Sequence, residues 1–182
     1  MSELLDALYR SDDERVTELL ASGPELDVFE AAAFGRTERL RELLDADPVL
    51  ASACAGDGFT PLHLAAFFRH PDAARLLVER GAPIDAVARN EEIAVTPLQS
   101  AVTAAEEKTA ALLLERGADP NFRHGGGFTP LQTAAHNGNE RLVELLLAHG
   151  GDRTLADDEG RTPALYARAA GHEDLAARLE PE

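Results

Sequence analysis

Thr60-Pro61-Leu62-His63 returns as Thr96-Pro97-Leu98-Gln99, again as Thr129-Pro130-Leu131-Gln132, and in altered form as Thr162-Pro163-Ala164-Leu165. The first interval is 36 residues and the next two are 33. Self-similarity at such a period is the mark of an array of stacked supersecondary units. A second marker keeps the same phase. Gly81-Ala82, Gly117-Ala118 and Gly150-Gly151 each follow a leucine-rich stretch, at Leu76-Leu77, Leu112-Leu113-Leu114 and Leu145-Leu146-Leu147.

One unit can be read from its local chemistry. In the stretch from Phe128 to Gly150, Thr129 can cap a helix with its hydroxyl. Pro130 suits the first helical position because it has no N–H to leave unpaired. Leu131, Ala134 and Ala135 then form a small apolar face, giving an inner helix of about two turns. Asn137-Gly138 ends it, since glycine accepts a left-handed backbone, and Asn139 caps an outer helix carrying Leu142, Val143, Leu145, Leu146 and Leu147 at helical spacing. Gly150-Gly151 ends that helix. The polar stretch from Asp152 to Gly160 has turn chemistry and predicts a hairpin-like finger leading to the next Thr-Pro.

The order of turn, Thr-Pro-Leu-His, Ala-Ala, Gly, Leu-Leu and Gly-Ala-Asp resembles the ankyrin repeat family over nearly the whole chain. The resemblance implies an all-α solenoid of helix-turn-helix units joined by hairpin-like fingers, with six helix pairs in one domain spanning 1–182. The expected divisions are an N-terminal cap at 1–26, an irregular repeat at 27–57, repeats at 58–93, 94–126 and 127–159, and a C-terminal cap at 160–182. An outermost unit has one face in water and is less apolar than an inner one. Accordingly, Arg178 stands where Leu145 and Leu112 stand earlier, and Asp12, Asp13, Glu14 and Arg15 open the second helix of the first unit. The three extra residues of the 36-residue step fall in the finger from Asp85 to Ala94, which is expected to project further than its neighbours. Arg69 and Ala105 occupy a helix-end position filled elsewhere by Gly35, Gly138 and Gly171. A left-handed residue other than glycine costs roughly 1 kcal/mol there, so either the turn differs or the cost is accepted.

Bulk composition narrows the function classes. The formal charge of −16 repels phosphate backbones and anionic lipid and favours basic partners, so neither nucleic acid nor a membrane is the expected partner. No apolar run approaches the roughly 18 to 20 residues of a membrane span. The acidic opening Met1-Ser2-Glu3-Leu4-Leu5-Asp6 lacks the character of a secretory signal, which makes the cytoplasm the expected location. Cys54 is the sole cysteine. It allows no internal disulfide and is expected to be a small, partly buried residue before a turn.

Chemical constellations are sparse. His63, His70, His124, His136, His149 and His172 contain no pair at zinc-like spacing, so no metal is expected. The resemblance implies that His63 bonds backbone groups of adjacent turns. There is no Gly-x-Ser-x-Gly and no phosphate-binding Gly-x-x-x-x-Gly-Lys, and Gly125-Gly126-Gly127 reads as a turn at a finger tip. Neither a cofactor nor enzymatic activity is expected.

The phenylalanines carry more information. On the ankyrin pattern, the residue before Thr-Pro and the last two residues of each inner helix face a concave groove. Those positions hold Phe59, Phe67 and Phe68 in one unit, Val95, Thr103 and Ala104 in the next, and Phe128, His136 and Asn137 in the third, while Phe34 takes the equivalent place in the irregular unit. Alternatively, Phe59 and Phe128 pack sideways onto adjacent fingers and Phe67 tucks between inner helices. The reading adopted is a non-enzymatic interaction module binding a protein or peptide through Phe34, Phe59, Phe67, Phe68, Val95, Phe128 and His136, with Phe67 and Phe68 as the main anchors. Asp57, Glu91, Glu92, Asp158 and Glu159 would steer a basic partner, and Arg69, Arg89, Arg123 and Arg161 would add directional contacts. A monomer is expected. The other readings are an architectural array closing a homodimer through its aromatic patch and, more remotely, a small-ligand protein or enzyme.

Overall fold

The computed structural model describes residues 2–89 and 94–180. Twelve helices in six antiparallel pairs fill the described residues. They are α1 (Glu3–Tyr9) with α2 (Asp13–Ala21), α3 (Val28–Ala33) with α4 (Thr37–Ala46), and α5 (Pro61–Phe67) with α6 (Pro71–Glu79). The series continues with α7 (Pro97–Thr103) and α8 (Glu107–Glu115), α9 (Pro130–His136) and α10 (Glu140–Ala148), and α11 (Pro163–Ala169) and α12 (Glu173–Leu179).

The Thr-Pro chemistry works as the sequence implies. Thr60, Thr96, Thr129 and Thr162 are all extended at the N-cap, and each hydroxyl accepts from the backbone N–H three residues on, with proline opening the helix. Asn139 caps α10 in the same way, accepting from Leu142 N–H. Inner helices α3, α5, α7, α9 and α11 stack in a row, and outer helices α4, α6, α8 and α10 form a second row. Leu62, Leu98 and Leu131, the third residue of each motif, are fully buried between the rows. Burial of each stabilises the stack by about 1.5–3 kcal/mol.

Hairpin-like fingers join the pairs from α4 onward. Ala55 N–H donates to the Phe59 carbonyl, His124 to that of Phe128 and Asp157 to that of Arg161. In the longer third link, β1 (Ala88–Arg89) pairs antiparallel with β2 (Ala94–Val95), with Ala88 opposite Val95. The expected projection of this finger concerns 90–93, which lie outside the described residues.

Helix-end conformations answer the question left by Arg69 and Ala105. Both take a left-handed backbone, with φ of 64° and 53°, so the turn is kept and the cost is accepted. Burial at the Arg178 position falls along the array, from 3% and 4% exposure at Leu76 and Leu112 to a half-buried Leu145. Arg178 itself is exposed and turns back onto α10, where it pairs with Glu140 and Glu144. Cys54 is exposed, contrary to the partly buried place expected of it, because the chain has already left the 3-10 turn Pro48–Ser52 that packs on the core.

Candidate functional site

The site is built where the fingers meet the inner helices. His63 sits at the third position of α5, fully buried. Its Nδ1 accepts from Thr60 N–H at 3.2 Å, which leaves the proton on Nε2 to donate to the Val95 carbonyl of the next finger at 3.1 Å. Desolvation dominates over these backbone bonds and pushes the imidazole down to about 4. His63 is therefore a neutral strut between repeats. Gln132 performs the same task one period later. Its Oε1 accepts from Thr129 N–H at 2.7 Å, and its Nε2 donates to the carbonyls of Leu155 and Arg161 at 3.1 and 2.7 Å.

Gln99 breaks this pattern. Its amide nitrogen donates to the hydroxyls of Thr103 and Thr133 at 3.1 and 2.9 Å, and among the described residues it makes no bond to Thr96 N–H or the following finger. The finger is held by His124 instead, whose Nδ1 donates to the Ala94 carbonyl at 2.8 Å. Burial lowers the pKa of His124 against the opposing pull of that carbonyl, so the ring is neutral and its Nε2 carries a lone pair. Neither Gln99 Oε1 nor His124 Nε2 has a hydrogen-bonding partner among the described residues.

Beside these two side chains lies a half-open cavity of about 360 Å3. Phe59, Phe67, Val95 and Phe128 supply its apolar walls, and Gln99, Ser100, Thr103, His124, Gly125 and Thr133 complete it. Thus four of the seven residues singled out in the sequence converge here. Phe67 is 41% exposed.

The other three lie elsewhere. Phe34 and Phe68 are half-buried against Leu5, Ala33 and Leu64, and Phe68 stacks on Tyr9 with ring centroids 5.7 Å apart. His136 is exposed and meets Tyr166 edge-on. Phe128 lines the cavity while also leaning on Tyr166 across the neighbouring finger, at 5.5 Å. Phe67 and Phe68 contact one another edge to face, yet only Phe67 belongs to the cavity wall.

Sequence reasoning missed the support behind Phe128. Asp157 accepts from Tyr166 Oη at 2.6 Å and from Arg161 Nε at 2.8 Å. Its burial opposes ionisation, but these bonds, with backbone N–H groups of Arg161 and Glu159, outweigh it and hold the carboxyl well below the usual range. The same burial and the Asp157 bond push Tyr166 up to about 12. The Arg161 guanidinium lies 5.2 Å from the Tyr166 ring centroid and 6.0 Å from that of Phe128. Asp157 looked like ordinary turn chemistry, and only a contact nine residues along, to Tyr166, identifies it as a strut.

Three of the four arginines expected to offer directional contacts are engaged internally. Arg69 pairs with Glu106 at 3.7 Å, Arg123 with Asp158 at 2.9 Å and Arg161 with Asp157 at 2.8 Å. Glu91 and Glu92, and the side chain of Arg89, lie outside the described residues. Among the described residues no cluster of three His, Cys, Asp or Glu side chains could hold a metal. No described helix is long and apolar enough to cross a membrane.

Stacked helix pairs, capped by Thr-Pro and tied by fingers, define a repeat solenoid. The profile described as "Ankyrin repeats (3 copies)" matches residues 4–88, 28–124 and 103–180, and the chain belongs to the ankyrin repeat family. It is 31% identical over 131 residues to ankyrin repeat and SAM domain-containing protein 6 of Mus musculus, covering 68% of this chain and 15% of that protein. It is 31% identical over 122 residues to palmitoyltransferase Hip14 of Drosophila melanogaster, covering 62% of this chain and 19% of that protein. Identity to neurogenic locus notch homolog protein 4 of Homo sapiens is 40% over 86 residues, 47% of this chain and 4% of that protein. The chain therefore spans less than a fifth of each of these relatives. Ankyrin repeats are in general protein-interaction modules.

Proposed function

We propose that this chain is a non-enzymatic protein-binding module that holds an extended segment of a partner protein in the groove walled by Phe59, Phe67, Val95 and Phe128. The observation that carries the reading is the exposure of Phe67 within an apolar cavity to which three fingers contribute. Clustered exposed apolar surface on a soluble domain marks interaction sites, and aromatic side chains in such grooves dominate binding energy. A net charge of −16 favours a basic partner and raises its association rate at low salt. Phe34 and Phe68, packed against Leu5, Ala33 and Leu64, and His136, exposed beside Tyr166, lie outside this groove. The lone cysteine agrees with work in the cytoplasm.

The array is open, and polar groups such as His63 and Gln132 are struts between repeats, an arrangement suited to binding and not to chemistry on a sequestered substrate. The test is affinity capture from lysate with the native chain beside Phe67→Ala, followed by titration of the recovered protein. Loss of at least tenfold in affinity with an unchanged melting temperature is expected. Equal affinity would move the binding surface away from this groove.

A further inference from the structure

We infer that a second pocket, which adjoins the groove at Phe59, is a socket for an arginine side chain of the same partner segment. The inference rests on the groove reading above and adds the chemistry of its occupant. The pocket has a volume of about 220 Å3, and its lining includes Tyr9, Phe29, Phe59, Asp27 and Asp57. Phe59 also walls the groove, so the two cavities are neighbours along one surface. Sites that enclose a free small molecule run to roughly 300–1,000 Å3, and this smaller volume suits a single side chain. The lining is open to a partner: Tyr9 is 37% exposed, Asp27 is exposed, and Phe29, Asp57 and Phe59 are half-buried.

The pocket is rich in aromatic surface and negative charge. Asp57 accepts from Phe59 N–H at 3.2 Å and Asp27 from Glu30 N–H at 2.8 Å, and among the described residues neither carboxylate pairs with a basic side chain. The arginines of the first unit are engaged elsewhere, Arg10 with Asp6 and Arg15 with Glu3 and Glu18. Burial, with Asp57 nearby, pushes the Tyr9 phenol up to about 12, so the ring is neutral and the carboxylates alone carry charge. Carboxylates beside aromatic faces attract a cation by ion pairing and by the negative face of each ring.

The same three residue types enclose an arginine at the last finger. There Asp157 pairs with Arg161 at 2.8 Å, and the guanidinium lies 5.2 Å from the Tyr166 ring centroid and 6.0 Å from that of Phe128. Arg161 is the residue before Thr-Pro in its unit, and that place is held by Phe59 in the unit beside Tyr9 and Asp57. The first site therefore has the rings and the carboxylates, and its guanidinium has to come from another chain. Arginine suits it better than lysine, because the guanidinium is planar, packs on rings and is more weakly hydrated than an ammonium.

The test is selection of a random twelve-residue peptide library on the intact chain, followed by titration of synthetic winners. An arginine shared by the winners is expected, with its replacement by methionine weakening binding at least tenfold. Asp57→Asn keeps an acceptor for Phe59 N–H and should weaken the arginine peptide at least tenfold at an unchanged melting temperature. In that variant the arginine-to-methionine replacement should cost less than about threefold, because the two changes remove one contact. Asp72→Asn removes the same charge from the exposed face of α6 and should change affinity less than about twofold. Winners that depend on Phe67 but share no arginine, or whose arginine responds equally to Asp57→Asn and Asp72→Asn, would overturn the socket and leave the groove reading standing. Winners indifferent to Phe67→Ala, or no winners at all, would overturn both.

Discussion

Gly35 lies so close to the imidazole of His70 that a β-carbon on it would meet Nδ1 at 2.5 Å. His70 opens outer helix α6 of the following pair. Gly138 stands in the same relation to His172, which opens α12. Where the following outer helix opens with Glu106 or Asn139, the helix-end residues are Arg69 and Ala105, which hold the same left-handed backbone with a side chain present. Glycine at this position thus answers to the next repeat's histidine as well as to its own φ.

Substitution should follow that relation. Gly35→Ala and Gly138→Ala should each destabilise the chain by roughly 2 kcal/mol, about half from the left-handed backbone and half from displacing the ring. Gly171, with no atom within 4 Å of such a β-carbon, should show only the backbone part, about 1 kcal/mol. Adding His70→Ala to Gly35→Ala should recover part of the loss. Chemical denaturation reads all four variants, and equal costs at Gly35 and Gly171 would refute the stacking account.

Acid should loosen the inter-repeat struts. The folded His63 titrates at about 4 against an ordinary 6.5, so its neutral form is favoured by folding. The resulting stability is fully present above pH 6.5 and is lost as pH falls from there toward 4. A gap of that size corresponds to about 3 kcal/mol. His70 and His124, also lowered by burial, act in the same direction. His63→Gln places at this position the side chain that already serves as a strut at Gln132. It should keep the strut and flatten the stability profile across this window in thermal melts at stepped pH.

Two glutamines at equivalent positions should behave differently. Gln132→Ala removes three strut bonds and should cost about 2–3 kcal/mol. Gln99→Ala removes bonds only to Thr103 and Thr133 and also removes an unpartnered carbonyl, so a cost under about 1 kcal/mol is expected. Matching losses in urea denaturation would show that Gln99 also serves as a strut.

Charge should set the salt response. At −16 the array repels itself, and repulsion between exposed charges is screened over about 8 Å at physiological ionic strength. The melting temperature should rise on moving from low salt to about 0.5 M sodium chloride. A flat or falling curve would mean that local pairs such as Arg178 with Glu140 and Glu144 outweigh the net field.

Much of the fold was legible because each unit carries its own instructions. Thr60, Pro61 and Leu62 specify cap, first turn and core contact within three residues, and the leucine runs specify an outer helix. The site was legible only in part. Phe59, Phe67, Val95 and Phe128 were placed by repeat position, and they do share one cavity. Phe68 follows Phe67 by one residue, which turns it by about 100° around the helix axis, toward Tyr9 and Leu5 instead of the groove.

The sequence by itself determined the repeat period, the capping of each helix and the pairing of inner with outer helices, because those are set by contacts within about one unit. The tertiary structure alone decided which polar residues serve as struts and which are left with unpaired acceptors. His63 reaches Val95, Gln99 reaches Thr133 and Gln132 reaches Arg161, separations of 32, 34 and 29 residues. Residues of near-identical motif thus acquire different partners from the neighbouring repeat. A side chain's hydrogen bonds are decided by what the adjacent unit presents to it, and that is written one period away from the motif itself.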